Sequence, residues 1–594
     1  MKYRPEIDAL RCLAVCPVIL FHAGFSAFSG GYVGVDIFFV ISGYLITSIL
    51  LAEISSRRFS FVGFYERRAR RILPALYFML LIIMPFSWLY MLPDPLENFG
   101  QSLVATIFFS NNILLTITSG YWEAASEFKP LVHMWSLGVE EQFYVVFPVL
   151  LMILWRFNFR RIYLPIIFIF FVSLCIAEYG IINFPNANFY LLPSRAWELL
   201  AGSMVAVYLF SIGDVRGNDY LGMAGVLMIF YAIFFYDSET PFPSFYTLVP
   251  VAGTVLIILF IKQGTLLHRV IANRAFVGIG LVSYSAYLWH QPILAFLRIY
   301  SQEEPGLYLM CFAVGLTFLA AYISWRFVEA PFRSSATISR KVVGVCVVVF
   351  STIIVGVGYS AHYFKGFPGR FYSADVVEKP DLYIAYNKRA FDYVISSFDN
   401  DGKVKVLVLG DSFARDFINM MVENLRFENI QLGYKFSPED CLLTPDDATQ
   451  ALVNSADVVV YAFNEGPGVC ARSKILALHE LGVKVYYLGT KNFGYNLNWL
   501  ARIDPAEREG AFNNIVVEMA NIDDRALMLL PSENYLSVMS KISTDASRVP
   551  ITDRSGFLLT ADRKHLTKYG ARFVGKLVLD NQRFLNDIHS SLVP

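Results

Sequence analysis

Three stretches of this chain place ionisable side chains where apolar neighbours make them costly. The first, RCLAVCPVILFH, sets Arg11 and His22 on one helical face, about 16 Å apart along the axis. An arginine near a helix end can snorkel to lipid headgroups, and a deeper histidine can be a neutral packing residue. The alternative is that both face a cavity or a partner. The second, FYERRARRILP (64–74), clusters Arg67, Arg68, Arg70 and Arg71. Arginine forks suit phosphates, and such a cluster serves equally to hold a helix end on one side of a bilayer. The third, HMWSLGVEEQFY (133–144), gathers His133, Ser136, Glu140, Glu141 and Gln142 at the start of an apolar run. Adjacent carboxylates project about 100° apart on a helix, so only one of Glu140 and Glu141 easily faces a given cavity.

A fourth stretch is of another kind. KVKVLVLGDSFARDF (403–417) passes from a β-branched run through Gly-Asp-Ser into a helical pattern. That turn puts the Ser412 hydroxyl at the carboxyl end of a strand and the positive end of a helix. Alone it is a weak signal. Two later features strengthen it: YAFNEG ends another strand with Asn464, whose amide can donate to an oxyanion. TADRKHLTKYGA supplies Asp562 and His565, spaced so that a carboxylate orients an imidazole to deprotonate a serine.

The elements that must position these residues divide the chain in two. Charged residues make up 16% of it, against about 25% in soluble domains, and the net charge is zero. The deficit lies before residue 363, where apolar runs of about 18 to 24 residues recur, each enough for a ~30 Å hydrocarbon core. We expect spans near 9–28, 33–52, 73–92, 138–155, 162–179, 194–212, 219–236, 246–262, 276–299, 306–328 and 342–362, about eleven in all. The first run is not a cleaved signal peptide, since further spans follow at once and no small-residue cleavage site closes it.

The stretch 100–118 is apolar enough to cross, but Ser110, Asn111 and Asn112 interrupt it. Leaving it re-entrant or interfacial puts Arg57, Arg58, Arg67, Arg68, Arg70 and Arg71 on one side with Arg156, Arg160 and Arg161, and Lys262, Arg269, Arg274, Arg333, Arg340 and Lys341 fall there too. That is the positive-inside pattern of an inner membrane protein with a cytoplasmic N-terminus, and it places 363–594 in the periplasm. Cys441 and Cys470 are the only cysteines of that outer part, where an oxidising compartment favours a disulfide between them. The eight histidines are scattered with no metal-ligand spacing, so no metal is expected. Nothing points to nucleic acid.

Beyond residue 363 strand-like runs at 405–410, 429–436, 457–463 and 484–489 alternate with helical patterns, which reads as a mainly parallel α/β sheet. The expected domains are therefore a membrane part over 1–335, an additional span over 336–362, a packed linker over 363–400 and a soluble domain over 401–594.

Taken together, Arg11 with His22, FFVISGYLI (38–46), the Arg-x-x-Arg cluster, WSLGVEEQFY, SYSAYLWHQP (283–292) and FVEAPFR (327–333) closely resemble the membrane-bound acyltransferase-3 family over about residues 1–335. The resemblance implies transfer of an acyl group, commonly acetyl, from cytoplasmic acyl-CoA to a carbohydrate. It points to His22 and Glu140 as catalytic positions and to Arg11, Arg68 and Arg71 as the donor's phosphate ligands, although Arg67 and Arg70 share the spacing. His290 and Ser136 rank next, as substrate or orienting contacts. Residues 400–590 resemble the SGNH hydrolases and transferases. That match carries Ser412 as nucleophile, Asn464 and Gly433 as oxyanion donors, His565 as base and Asp562 as its orienter.

The whole looks like a fused polysaccharide O-acetyltransferase of the O-antigen type, using acetyl-CoA as donor and a lipid-linked polysaccharide as acceptor beside membrane lipid. The competing readings give the outer domain an esterase role, or make the membrane half a transporter or scaffold that consumes no acetyl-CoA.

Overall fold

Wherever the first part of the chain runs apolar for the thickness of a bilayer it is helical, because backbone groups in hydrocarbon have no partners outside their own segment. The computed structural model describes residues 3–118, 126–158, 162–372, 384–437, 447–544, 547–560 and 562–589. It divides into one unit of Met1–Leu89, Pro95–Arg298 and Pro305–Gly366, and a second of Tyr90–Asp94, Ile299–Glu304 and Phe367–Pro594.

The first unit is built from α1 (Pro5–His22), α2 (Gly34–Ser55), α3 (Phe61–Tyr90), α4 (Pro93–Ile107), α5 (Asn111–Thr118), α6 (Met134–Asn158), α7 (Tyr163–Asn183), α8 (Leu192–Ile212), α9 (Asp219–Phe235), α10 (Leu248–Phe260), α11 (Arg274–Tyr300), α12 (Leu307–Ser324) and α13 (Arg340–Tyr363). Among the described residues, seven helices are long and apolar enough to cross a membrane. Every expected span overlaps a helix. The helices α1 and α11, which carry His22 and His290, are not among the seven. Helices α2 and α8 meet backbone to backbone. A Cβ on Gly43 would lie 1.8 Å from the Leu199 carbonyl oxygen and one on Gly202 1.9 Å from that of Val40. Such small-residue crossings are how membrane helices approach closely, and here the contact fixes the helix that carries Ser42.

The 100–118 stretch is two helices rather than one. Helix α4 ends at Ile107, Phe109 takes a positive φ of 50°, and α5 begins at Asn111. The polar interruption satisfies the break. Asn111 donates to the Leu131 carbonyl at 2.9 Å, while Gln142 on α6 donates to the Phe109 carbonyl at 3.0 Å and to Asn112 Oδ1 at 2.9 Å. A broken helix at membrane depth needs such protein partners.

At the end of α12 the chain widens into a π-helical turn, Trp325–Glu329, followed by a last short helix, Ala330–Arg333. Such turns change which side chains face inward. Glu329 is buried, accepts from Ser285 Oγ at 2.7 Å and pairs with Arg333.

In the second unit, strands β1 (Val404–Gly410), β2 (Ile430–Phe436), β3 (Val458–Ala462), β4 (Lys484–Leu488) and β6 (Tyr535–Leu536) form a sheet ordered β2-β1-β3-β4-β6, and all its pairings are parallel. A separate antiparallel pair joins β5 (Phe512–Asn514) to β7 (Arg548–Pro550). Helices α14 (Ser412–Asn424), α15 (Asp447–Ser455), α16 (Ala471–Glu480), α17 (Val517–Leu529), α18 (Lys568–Val578) and α19 (Gln582–His589) complete it. The central strands are buried on both faces, so their sequences are continuous Val/Leu runs. Part of the expected linker belongs to this core: Phe371, Tyr372, Tyr386 and Ala390 pack into the same cluster as β1 and α14.

Candidate active sites

The first unit encloses a cavity of about 90 Å³ whose wall carries Arg11, Arg68, Arg71 and Arg333 together with Ser42, Ser136, Glu140, Tyr144 and Tyr287. Each reaches it from a different element. Arg11 comes from α1 and is steadied by Asp8 at 3.1 Å. Arg68 and Arg71 come from α3, Glu140 from α6, and Arg333 from the helix behind the π turn. The ambiguity of the arginine pair is settled as placement by what the other two do. Arg67 turns away to Glu53 at 2.7 Å, half exposed. Arg70 is buried against Glu66 at 3.0 Å and donates to the Ile338 carbonyl at 2.8 Å. Arg68 and Arg71 have no carboxylate partner among the described residues. Of the two carboxylates, Glu140 lines the cavity, accepting from Ser42 Oγ at 2.9 Å, and Glu141 does not.

His22 and His290 do not line this cavity. They meet beyond it, ring centroids 5.1 Å apart, and His133 lies 5.0 Å from His290. Tyr287 stands between the two places: its ring is 5.2 Å from that of His290, and its hydroxyl is 2.6 Å from Ser136 Oγ at the cavity wall. Ser136 thus lines the cavity and links its wall to Tyr287.

Each imidazole spends one nitrogen on a helix carbonyl. His22 Nδ1 is 3.0 Å from the Val18 oxygen, His290 Nδ1 2.6 Å from that of Tyr287, and His133 Nε2 3.2 Å from that of Leu288. A ring nitrogen facing a carbonyl must carry the proton, which assigns the tautomers and leaves His22 Nε2 as the basic atom. Arg298 donates to the His22 carbonyl at 2.6 Å, at the carboxyl end of α1 where a cation suits the helix dipole. Sequence reasoning placed Arg333 only among the orientation charges and assigned no site role to Tyr287 or Arg298. The FVEAPFR motif contained the first and SYSAYLWHQP the second.

In the second unit Ser412 is the first residue of α14, at the switch point of the sheet, where the chain leaves β1 for β2 on one side and returns to β3 on the other. Gly410 makes the turn possible: its φ is 146°, and a Cβ there would meet the Ala462 oxygen at 1.9 Å. Asp411 ties the turn together. Its Oδ1 accepts from Phe413 N at 2.9 Å, capping α14, and its Oδ2 accepts from Asn464 N at 2.9 Å. The strand ends carrying serine and asparagine are therefore joined by one carboxylate. The Asn464 side chain makes no hydrogen bond among the described residues, which leaves its amide available as a donor.

His565 Nδ1 lies 2.5 Å from Asp562 Oδ2, and Asp562 Oδ1 accepts from the backbone N–H groups of Lys564 and His565 at 2.8 and 2.9 Å. Burial pushes the Asp562 carboxyl up, but the adjacent imidazole and these hydrogen bonds outweigh it and hold the group well below the usual carboxylate range. The carboxylate faces Nδ1, so Nε2 is the nitrogen available to take a proton.

Gly433 does not join this group. It lies inside β2, paired with Leu407, three residues before the strand end and so about 10 Å short of the turn. A Cβ there would meet Ile395 at 2.3 Å, so its smallness serves packing against that side chain. Cys470 precedes α16 and is disulfide-bonded; Cys441, its expected partner, lies outside the described residues.

The acyltransferase domain family matches residues 4–326. The peptidoglycan O-acetyltransferase OatA of Listeria monocytogenes is 31% identical over 355 residues, covering 57% of this chain and 57% of that protein. The O-acetyltransferase OatA of Staphylococcus aureus is 31% identical over 347 residues, covering 56% of this chain and 57% of its own length. The chain is thus matched over little more than half the length of these curated relatives.

Proposed function

The chain belongs to the acyltransferase domain family, and from that premise we propose that it O-acetylates a bacterial surface polysaccharide from acetyl-CoA, in two steps. The observation that carries the reading is the cavity walled by Arg11, Arg68, Arg71 and Arg333. Arg11 is paired with Asp8 and Arg333 with Glu329, but Arg68 and Arg71 have no carboxylate partner among the described residues. Two such guanidinium groups beside the other two call for a polyanion, and the phosphates of CoA supply one.

In the first step His22 Nε2 attacks the thioester carbon. The C–S bond breaks, the thiolate leaves and takes up a proton as free CoA, and the acyl group is held on the imidazole. In the second, Ser412 Oγ attacks the acyl carbon while His565 Nε2 takes the hydroxyl proton, and the C–N bond to His22 breaks, which returns the free imidazole. Asn464 and the α14 N-terminus stabilise the oxyanion. His565 then releases that proton to solvent. A sugar hydroxyl attacks the serine ester carbon, giving its proton to His565, which passes it to Ser412 Oγ as the ester C–O bond breaks and the serine is restored. The outer unit is in this reading an SGNH domain on the periplasmic side of the inner membrane.

An O-antigen acceptor, expected from the family resemblance, draws no support from the relatives' names. One of them is named for peptidoglycan, so a cell-wall glycan takes precedence over lipopolysaccharide as the acceptor to test. Nuclear magnetic resonance of O-acetyl positions in surface glycans, with and without this gene, tests the reading. Loss of acetyl from one defined hydroxyl is expected, and unchanged acetylation of every surface glycan contradicts it.

A further inference from the structure

Behind the Ser412 turn lies a charge that the two-step mechanism does not use. Lys491, just beyond the end of β4, is fully buried, and its Nζ is 2.9 Å from Oδ2 of the equally buried Asp416. Asp416 is one turn along α14 from Ser412. The same Oδ2 accepts the backbone N–H of Leu566, the residue after His565, at 3.2 Å. Lys491 Nζ also lies 3.2 Å from the ring centroid of Phe413, the residue after Ser412. Its neighbour Thr490 donates to the Asn464 carbonyl at 3.1 Å. Two adjacent residues just beyond the end of β4 therefore reach the serine helix and the asparagine, and Asp416 extends the contact to the histidine loop.

Burying a lysine forfeits its hydration and most of its rotamer freedom. A buried ion pair is commonly no more stabilising than apolar side chains of the same volume. Space-filling alone would be served by methionine. What the lysine supplies is a counter-charge 2.9 Å from the Asp416 carboxylate, which holds that carboxylate where it accepts the Leu566 N–H. Without a counter-charge that carboxylate would not hold its backbone partner in the same way.

Resting on the reading of Ser412 as nucleophile, we propose that Lys491 is a positioning residue: the buried counter-charge of Asp416 that locks the His565 loop onto the helix presenting Ser412. The test is the rate at which a fluorophosphonate labels Ser412 in the detergent-solubilised full-length chain. Lys491→Met is expected to slow the limiting rate of labelling at least about tenfold with the reagent's half-saturation concentration unchanged, and Lys491→Arg to recover most of it. Because Lys491→Met strands a buried carboxylate and can unfold the domain, Asp416→Asn/Lys491→Met is measured beside it. That double variant has no unpaired charge, and it is expected to keep its cooperative melting transition while labelling slowly. Wild-type labelling rates in the folded double variant would overturn this proposal alone. A wild-type chain that takes no more label than Ser412→Ala would overturn the serine reading, and this proposal with it.

Discussion

The ring centroids of His22 and His290 lie 5.1 Å apart and the rings are tilted by 48°, one on α1 and the other on α11. His290 and His133 present their second ring nitrogens to a buried space in which neither has a hydrogen-bond partner among the described residues. A proton or hydroxyl arriving at His22 therefore finds further acceptors at hand. His22→Ala is expected to abolish CoA release, and His290→Ala to lower it roughly 10- to 100-fold, a usual range for loss of a proton-handling group. Full CoA release by His290→Ala would reduce His290 to packing.

The division of labour among the arginines gives a second prediction. Arg68→Ala or Arg71→Ala is expected to raise the KM for acetyl-CoA about tenfold or more, because each removes a guanidinium from the cavity wall. Arg67→Ala should leave KM within about twofold, since Arg67 is paired with Glu53 at an exposed position. Steady-state CoA release against donor concentration distinguishes them, and equal effects at Arg67 and Arg68 would contradict the assignment.

How much of this the sequence showed depends on how local the signal is. Helix positions, the polar break at Ser110–Asn112, the strand–serine–helix turn and the Asp562–His565 pair are set by neighbours within a few residues, and periodicity and spacing expose them. The choice between Arg68/Arg71 and Arg67/Arg70 was not visible, because Glu53 and the Ile338 carbonyl, both outside the helix that carries the arginines, hold Arg67 and Arg70 away from the cavity. Asp36, Arg195 and Glu198 were missed for the same reason. They are fully buried charges on α2 and α8, paired at 2.9 and 3.2 Å, with Arg195 inside a ring of Phe39, Trp135, Phe189 and Phe242. Gly433 misled for the opposite reason. A glycine near a strand end looks like an oxyanion position until the register places it three residues too early.

The helical break at Phe109 bears on topology. If α4 and α5 together fail to cross, Glu127 and the second unit face the same compartment. Glu127→Cys should then react with a membrane-impermeant maleimide added to intact spheroplasts. Labelling only after the membrane is opened would overturn the crossing pattern.

The Asp562–His565 pair predicts a pH dependence with a definite sign. The Asp562 carboxyl is held below its ordinary range in the folded chain, so its contribution is complete above the unfolded value of about 4 and is lost as pH falls through the folded value. Asp562→Asn should melt lower than wild type by the same margin at pH 7 and pH 5, the margin shrinking only below about pH 4. Its acyl transfer should fall by roughly 10²- to 10⁴-fold, because the imidazole is no longer held in the right tautomer. A margin that already closes between pH 7 and 5 would contradict this.

If acyl passes through His22 before it reaches Ser412, radiolabelled acetyl must reach the serine only in chains that keep the histidine. The full-length protein is incubated with acetyl-CoA labelled in its acetyl group and no glycan, then digested, and the peptide containing Ser412 is counted. The account predicts label on that peptide in the wild type and none in His22→Ala. It further predicts that Ser412→Ala carries no label there yet still releases CoA slowly to water. Label on the Ser412 peptide of His22→Ala at the wild-type level would contradict the serial scheme.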